Sequence, residues 1–364
     1  MGNCFPKQKK SSAEIAPSDF IKGSPVVRLY GSPSSNLTSF IRIALLYKSV
    51  SVNFIPSENP HFGSENPVLQ LGSDTVTGSS ETLLRYIEGK FPNPPLLDRI
   101  DSAGNQAVPG IVLAVTIQHK CMTWYLESLV KWAEDLATRG KGRAVDPSMG
   151  SPVMEVRKFG RSYSQLLEVM LEHAQMEERV LFPVFERADR GLSKAANEDH
   201  ARDLPIMNGI KEDIKSIGVL DAGNPVYQEG LFNLSSRLKT LQEHCKEHFE
   251  EEERELLPLL EATELSKEQH DRMVEQCVEV MEGTHSHLIH FLILGLLPQD
   301  VIQYLNLIIR CTTNTERVGS MLRTLTSRIE STISSSNHRP SQSQHHLAKY
   351  RGTTVPSNEY CQMG

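Results

Sequence analysis

One motif of this chain occurs twice and constrains the fold more than any other feature. Residues 173–183 read His-Ala-Gln-Met-Glu-Glu-Arg-Val-Leu-Phe-Pro, and residues 248–258 read His-Phe-Glu-Glu-Glu-Glu-Arg-Glu-Leu-Leu-Pro. Both copies follow the pattern His-x-x-x-Glu-Glu-Arg, which places the histidine and the first shared glutamate one turn apart on one helix face. Because that face is otherwise apolar, and because buried ionisable groups are costly unless they are paired or bound to a cation, the repeat predicts a metal site.

Two further helices each place one histidine on an apolar stripe. The helical period of apolar residues predicts helices over residues 108–139, 155–188 and 193–217, and a fourth helix that begins after Gly230. Together they predict an up-down-up-down four-helix bundle over residues 105–265, with ligands projecting into its centre. The predicted metal ligands are His119, His173, Glu177, His200, His248 and Glu252.

Several neighbours of the predicted ligands receive their own expectations. His244 lies one turn before His248 and is either a fifth ligand or a hydrogen-bond partner of a ligand; the pattern leaves both open. Glu178 and Glu253 are expected to face solvent or to pair with arginine. Pro183 should kink the end of the second helix, because proline has no backbone N–H to donate. On the third helix, Pro205 should bend the chain, and Leu204 is expected to face inward.

The predicted ligands combine imidazole nitrogens with carboxylate oxygens. This mixture suits iron or manganese better than calcium or magnesium, and zinc is compatible with the same groups. Two carboxylates can also bridge two cations without placing excess negative charge in the bundle. We therefore expect a centre that binds two cations, with iron or manganese favoured and zinc as an alternative.

The ligand pattern resembles that of the hemerythrin-type (HHE cation-binding) domain. It is more similar to the eukaryotic iron-sensing subset than to the oxygen carriers, which have His-x-x-x-His on the third helix and a histidine and an aspartate on the fourth. This resemblance implies that Glu177 and Glu252 bridge two irons and that dioxygen is a candidate ligand. It assigns His119 and His173 to one ion, and His200 and His248 to the other.

Residues 25–98 are expected to form a small α/β unit. The pattern predicts, in order, a strand at 26–30, a helix at 40–47, a strand at 50–55, a strand at 66–71, a turn at 72–74 and a helix at 80–91. The order β-α-β-β-β-α, with a proline before the third strand, resembles the thioredoxin-like N-terminal domain of glutathione S-transferases.

This second resemblance implies a glutathione site, but one of its expected residues is missing. Pro67 would be the cis-proline whose backbone binds glutathione, and Ser34 or Ser35 would lie where the thiol is activated. The family usually has Glu-Ser at the start of the last helix of this domain. Here Ser80 matches the serine, but Ser79 replaces the carboxylate. We therefore expect the fold without transferase activity and keep glutathione binding as an alternative.

The two ends of the chain are expected to be different in character. Residues 1–24 form a tail in which Gly2 is a candidate for myristoylation and Cys4 for palmitoylation, although Pro6 departs from the usual acylation pattern. Residues 266–333 predict a C-terminal helical extension, with helices at 268–282, 285–296 and 300–329. Its histidines, such as His285, are expected only to pack or to contact solvent. Residues 334–364 are rich in Ser, Gln and His and predict a disordered tail.

Composition narrows the surroundings in which the chain works. A net charge of −7 gives no reason to expect a nucleic-acid partner. The six cysteines include no Cys-x-x-Cys pair, which indicates a reducing compartment. The first ten residues lack the apolar segment of a signal peptide. These features predict an intracellular, cytoplasmic protein, with association with the plasma membrane if the N-terminus is lipidated.

Together these observations predict an α+β multidomain protein with three alternative functions. The first is a non-haem di-iron protein that senses or buffers iron rather than catalysing a reaction. The second is a glutathione transferase-like enzyme whose helical part is incidental. The third is a metal-free adaptor at a membrane, in which the bundle and the α/β unit serve only as interaction surfaces.

Overall fold

The computed structural model describes residues 26–48, 50–57, 66–97, 108–139, 151–263 and 265–336. These residues form a small four-stranded sheet, followed by a larger helical part. The strands are β1 (Val27–Gly31), β2 (Val52–Pro56), β3 (Val68–Leu71) and β4 (Asp74–Thr77). The helices are α1 (Asn36–Tyr47), α2 (Ser80–Lys90), α3 (Gly110–Arg139), α4 (Pro152–Met176), α5 (Phe182–Ala188), α6 (Lys194–Ile217), α7 (Pro225–Glu251), α8 (Leu257–Ala262), α9 (Lys267–Val280), α10 (Glu282–Ser286), α11 (Ile289–Leu294), α12 (Pro298–Cys311) and α13 (Thr315–Ser336). The candidate lipidation sites Gly2 and Cys4, and residues 337–364 of the predicted tail, lie outside the described residues.

The N-terminal unit is a mixed sheet with the strand order β2-β1-β3-β4. β1 pairs with β2 in parallel, whereas β3 pairs with β1 and β4 in antiparallel fashion. The turn between β3 and β4 contains Gly72 at φ +61°, a conformation that glycine adopts without a steric penalty. Side chains of Ser35 and Ser79 accept hydrogen bonds from the backbone at the first turns of α1 and α2. The element order is the one that the sequence predicts.

The N-terminal unit is attached to the C-terminal helices through α1. Helix α1 packs against α12 and α13. The Asn36 side chain donates to the Thr315 carbonyl at 3.0 Å, and Arg42 forms an ion pair with Glu330. The two ends of the described chain are therefore held together.

Four long helices enclose the centre of the helical part. α3 contacts α4 and α7, and α6 contacts the same two helices, so that α3, α4, α6 and α7 form a closed ring. The predicted start of the fourth helix after Gly230 is wrong: α7 begins at Pro225, because Asn224 caps it by accepting from the Val226 N–H. Gly230 is tolerated inside α7 because the end of α6 approaches there, and a Cβ would lie 2.9 Å from Ile217.

Both copies of the repeated motif depart from α-helical geometry at their first shared glutamate. α4 changes at Glu177 into a π-helical turn, Glu177–Leu181, and α7 does the same over Glu252–Leu256. The N–H of Phe182 bonds to the Glu177 carbonyl, five residues back, and Leu257 bonds to Glu252 in the same way. A proline follows each turn and has no N–H for the ordinary bond. The predicted kink at Pro183 is therefore a π-helical turn, a feature common at functional sites.

Three other expectations about the helices are corrected by the structure. Leu204 does not face inward, since 43% of its surface is exposed. The helix predicted over 285–296 is divided into α10 and α11. The helix predicted over 300–329 is interrupted between α12 and α13, where the Asn314 side chain accepts from the Arg317 N–H at 3.0 Å and starts a new helix.

Within the described residues, no helix combines the length and the apolar character needed to cross a membrane.

Candidate metal centre

The structure brings all six predicted ligands together between α3, α4, α6 and α7. Their nitrogen and oxygen atoms form two groups, and within each group the atoms lie within 4.8 Å of one another. The first position consists of His119, His173 and Glu177. The second position consists of Glu177, His200, His248 and Glu252. Five of the six residues are buried and His200 is nearly so.

Glu177 is shared by the two positions, with one oxygen directed to each. Its Oε1 lies 3.0 Å from His173 Nε2 and 3.6 Å from His119 Nε2. Its Oε2 lies 3.4 Å from His200 Nε2. Two ligand atoms about 2.1 Å from one ion and at a right angle to each other lie about 3.0 Å apart. The spacings around Glu177 are therefore close to those of atoms that share an ion.

Glu252 lies between the same two sets of imidazoles. Its Oε2 is 3.6 Å from His248 Nε2, one helical turn away, and 3.4 Å from His119 Nε2 on α3. The rings of His119 and His173 are 5.0 Å apart, and those of His200 and His248 are also 5.0 Å apart. Glu252 is thus placed next to an imidazole of each position.

Each of the four imidazoles directs Nε2 to the centre and Nδ1 to an oxygen outside it. His119 Nδ1 lies 3.0 Å from Glu253 Oε1, and His200 Nδ1 lies 3.1 Å from Glu178 Oε1. The Nδ1 atom of His173 lies 2.7 Å from the Gln118 amide oxygen, and that of His248 lies 3.3 Å from an Asp199 carboxylate oxygen. Such partners keep the proton on Nδ1 and leave the Nε2 lone pair free for a metal.

These contacts reveal one plan used twice. The second glutamate of each repeat contacts the lone histidine of a neighbouring helix: Glu178 contacts His200, and Glu253 contacts His119. The residue just before each lone histidine, Gln118 or Asp199, in turn holds the histidine of a repeat. Glu178 and Glu253 are exposed, as expected, but each also contacts a ligand histidine, which the sequence did not predict.

Buried polar atoms without hydrogen-bond partners are concentrated at this centre. Within the described part of the chain they include the Nε2 atoms of His119, His173 and His248 and the Oε2 atoms of Glu177 and Glu252. An unpaired buried polar group costs about 1–3 kcal/mol. Lone pairs of imidazoles and carboxylates that face one another at these distances are the donor set of a cation site. The residues therefore fit a metal.

Electrostatics couple these groups even without an ion. Burial raises the pKa of Glu177, but the neighbouring histidines outweigh it and hold the pKa well below its usual range. Burial lowers the pKa of His173. Burial also lowers the pKa of His200, but Glu177 and Glu178 outweigh it and raise the pKa to about 9. For His119, contacts with three carboxylates likewise outweigh burial and raise the pKa well above 6.5. Metal binding must therefore displace protons from part of this cluster.

A cavity of about 230 Å³ adjoins the centre between α4, α6 and α7. It is lined largely by apolar side chains, among them Met170, Leu204, Met207 and Phe249. Three of the ligand histidines border it: His173, His200 and His248. A small apolar molecule could thus approach the centre from this side.

Other sequence-predicted site residues do not join the centre. His244 stands outside both groups, and its Nδ1 lies 3.0 Å from Asp203 Oδ1. Ser34 is exposed, Ser35 caps α1, and Ser80 is the first residue of α2. Pro67 is buried, but the implied cis peptide before it is wrong, because the cis bond among the described residues is Asn93–Pro94.

Sequence reasoning missed four residues that hold the ligand histidines. Glu178 and Glu253 carried a signal, since the second glutamate is present in both copies of the motif. Gln118 and Asp199 carried none, because their partners lie on other helices and the contact depends on how the helices pack.

One of the comparisons with known proteins supports a cation site in this part of the chain. No curated protein and no solved structure matches the chain. The family model of the hemerythrin HHE cation binding domain matches residues 114–260, a range that contains all six candidate ligands and the helices that carry them.

Proposed function

We propose that this protein is a non-haem di-iron protein that senses or buffers iron. The observation that carries the proposal is Glu177, which directs one carboxylate oxygen to each of two groups of imidazoles. A carboxylate placed in this way can bridge two cations. The match of residues 114–260 to a cation-binding domain supports the same conclusion.

The charge and type of the ligands favour iron. Four imidazoles that are neutral when they bind a metal, and two carboxylates, compensate part of the charge of two divalent ions in a buried site. Nitrogen and carboxylate oxygen together suit iron, with manganese and zinc as the next candidates. Two irons held by these residues would supply binding of small ligands such as dioxygen, and the adjoining cavity supports access for one.

The distribution of the ligands supports a role in sensing or buffering. They come from four helices, so an ion that binds all of them stabilises the packed bundle and not one segment. We expect metal loss to loosen the ring of helices, which converts iron concentration into a change of stability.

The decisive experiment measures metal and stability together. The protein is purified anaerobically with ferrous iron, its bound metal is counted, and its absorption spectrum is recorded before and after exposure to air. We expect about two irons per chain, a new near-ultraviolet band in air, and a higher melting temperature with iron. Glu177→Gln, which removes the shared charge, should lose most of both ions.

A matched control separates the site from general surface charge. Glu250→Gln removes an exposed glutamate of the same helix that carries His248, and should bind metal like the wild type. If the wild type retains no metal and iron leaves its melting temperature unchanged, the proposal fails and the metal-free adaptor remains. Retention of zinc but not iron would overturn the choice of ion while preserving the site.

For the N-terminal unit we propose a thioredoxin-like fold without transferase activity. The strand order β2-β1-β3-β4, with β1 and β2 parallel, supports the fold. The hydroxyl of Ser35 is engaged as a helix cap, and Ser79 stands where a carboxylate would hold glutathione. Retention on immobilised glutathione, together with conjugation of a thiol-reactive substrate, would overturn this and favour the enzymatic alternative.

Membrane association through Gly2 and Cys4 is a separate proposal, supported by the N-terminal sequence. Lipidation at both positions would be needed for stable anchoring in the cytoplasm at the plasma membrane. Mass spectrometry of the N-terminal peptide tests it, and an unmodified or acetylated Gly2 would remove the claim.

A further inference from the structure

A buried histidine and a buried tyrosine of the C-terminal helices connect to the metal centre. His285 lies on α10 and Tyr304 on α12, and both are almost fully buried. The Tyr304 hydroxyl lies 2.9 Å from His285 Nε2 and 2.9 Å from the Gln118 amide nitrogen. The Gln118 amide oxygen is 2.7 Å from Nδ1 of the ligand His173. We call His173, Gln118, Tyr304 and His285 the polar chain.

The proton positions in the polar chain are fixed by its partners. At one end, His285 Nδ1 lies 2.8 Å from the Met281 carbonyl, which only accepts, so this nitrogen donates and His285 Nε2 accepts from Tyr304. The Tyr304 oxygen then accepts from the Gln118 amide N–H. The Gln118 oxygen is left to accept from His173 Nδ1–H, which directs the His173 Nε2 lone pair to the metal position.

The same part of the C-terminal helices is fastened to α4 beside His173. One oxygen of Glu172 accepts from the Gly283 N–H at 2.9 Å, and the other accepts from the Thr284 N–H at 2.7 Å. A Cβ on Gly283 would overlap the Glu172 carboxylate, so that carboxylate would have to shift if another residue replaced this glycine. The residue that holds the start of α10, Glu172, therefore directly precedes the candidate ligand His173 in the chain.

We propose that Tyr304 and Gln118 are positioning residues for the metal centre, and that the docking of α10–α12 and metal binding at the first position strengthen each other. The metal half of this inference rests on the proposed function. Through the polar chain, a metal that requires the Nδ1–H form of His173 favours the docked helices. Undocked helices leave Gln118 free to turn and His173 free to take its other tautomer. The C-terminal helices would in this way respond to occupancy of the first position.

Tyr304→Phe tests the proposal, with Tyr125→Phe as the matched control. Both variants remove one buried hydroxyl at the boundary between α3 and the C-terminal helices, but Tyr125 donates to the Phe291 carbonyl and lies outside the polar chain. Ferrous affinity is measured anaerobically by competition with a chelator. We expect Tyr304→Phe to weaken the binding of one of two ions by a few-fold, less than the roughly tenfold effect of losing a direct partner of a ligand, because Tyr304 acts through Gln118. Tyr125→Phe should leave both ions unchanged.

Hydrogen exchange provides a readout other than affinity. In the wild type, ferrous iron should increase the protection of amides in α10 and α12, and in Tyr304→Phe this increase should be lost. Equal loss of affinity in the two tyrosine variants would overturn the proposal, since it would point to general loosening of the interface. So would iron-dependent protection that persists in Tyr304→Phe.

A second variant and a metal-free measurement keep the test independent of the proposed function. Gln118→Met preserves length and cuts only the step between Tyr304 and His173. In the metal-free protein, nitrogen-15 NMR should show His173 as the Nδ1–H tautomer in the wild type and as a mixture in Gln118→Met. If the wild type already shows the Nε2–H form, the polar chain does not position His173. That result is distinct from failure of the wild type to bind iron, which would sink the proposed function alone.

Discussion

The two halves of the candidate metal centre follow the same plan but end differently. In both, a repeat supplies His-x-x-x-Glu-Glu and a neighbouring helix supplies a lone histidine preceded by an orienting residue. Gln118 orients His173 and continues into the buried Tyr304, whereas Asp199 orients His248 and bonds to the half-exposed Arg202 at 2.8 Å. One half therefore ends in a neutral, buried polar chain and the other in an ion pair at the surface.

The two halves also differ in how well neighbouring helices shield them from solvent. The C-terminal helices cover the side of α3 and α4 that carries His119 and His173. The side of α6 and α7 has no such cover among the described residues: 13% of the His200 side chain is exposed, and the cavity lies beside it. Equivalent ligands can thus be given different stability and access by what packs outside them. We expect the two positions to respond differently to pH, to charge and to access.

The largest expected effect is a loss of stability in acid at the covered half, which is the side of α3 and α4 against which the C-terminal helices pack. Burial lowers the pKa of His285 to about 4 from an ordinary value of 6.5. The folded state keeps this imidazole neutral, so its contribution to stability is complete above pH 6.5 and is lost as pH falls toward 4. The loss amounts to about 3 kcal/mol of unfolding free energy. Urea unfolding of the metal-free protein between pH 7 and 4 should show it, and His285→Asn should lack that part of the slope.

A smaller effect, a loss of stability as the pH rises, is expected at the open half, which is the side of α6 and α7 that carries His200. Burial lowers the pKa of His200, but Glu177 and Glu178 raise it to about 9. A raised histidine pKa contributes stability that is complete below pH 6.5 and is lost as pH rises through 9. We expect a loss of about 2 kcal/mol in the metal-free protein, since partial exposure reduces the effect. His200→Gln should flatten the curve between pH 6.5 and 9.5. An unchanged slope there would mean that His200 is neutral in the folded state.

The difference between Gln118 and Asp199 can be removed by one substitution. Asp199→Asn preserves the size of the side chain and an oxygen acceptor for His248, but removes the charge that strengthens this imidazole as a ligand. We expect the ferrous affinity of one ion to fall about tenfold, or about 1.4 kcal/mol, while the other is unchanged. Chelator competition resolves the two steps, and Asp221→Asn, at an exposed loop position, is the control. A fall in both affinities would show that the halves are not independent.

The sequence alone predicted the ligands, because each one lies on the apolar stripe of its own helix. It did not predict the contacts that form only where two helices pack. The four-residue spacing of His173 and Glu177, or of His248 and Glu252, is a property of a single helix, and the structure brings these pairs together with His119. The fit of Gln118 to His173, and of Tyr304 to Gln118, arises only when α3, α4 and α12 pack. The same reason explains His285, which was expected to do no more than pack or contact solvent. Helix ends were least accurate where a cap such as Asn224 or Asn314 decided them.

The smallest expected effect is on rates and concerns the cavity beside the open half. The cavity of about 230 Å³ borders both histidines of the open half but only His173 of the covered half, and Leu204 at its margin is 43% exposed. Leu204→Trp should narrow it without burying a new polar group. We expect a chelator to withdraw iron a few-fold more slowly, with equilibrium affinity unchanged because no ligand or orienting residue is altered. Stopped-flow measurement against Val219→Trp, a similar change at a site 83% exposed and away from the cavity, checks this. Equal rates in the two variants would place the route to the metal elsewhere, and the openness of this half would then concern protons and charge but not access.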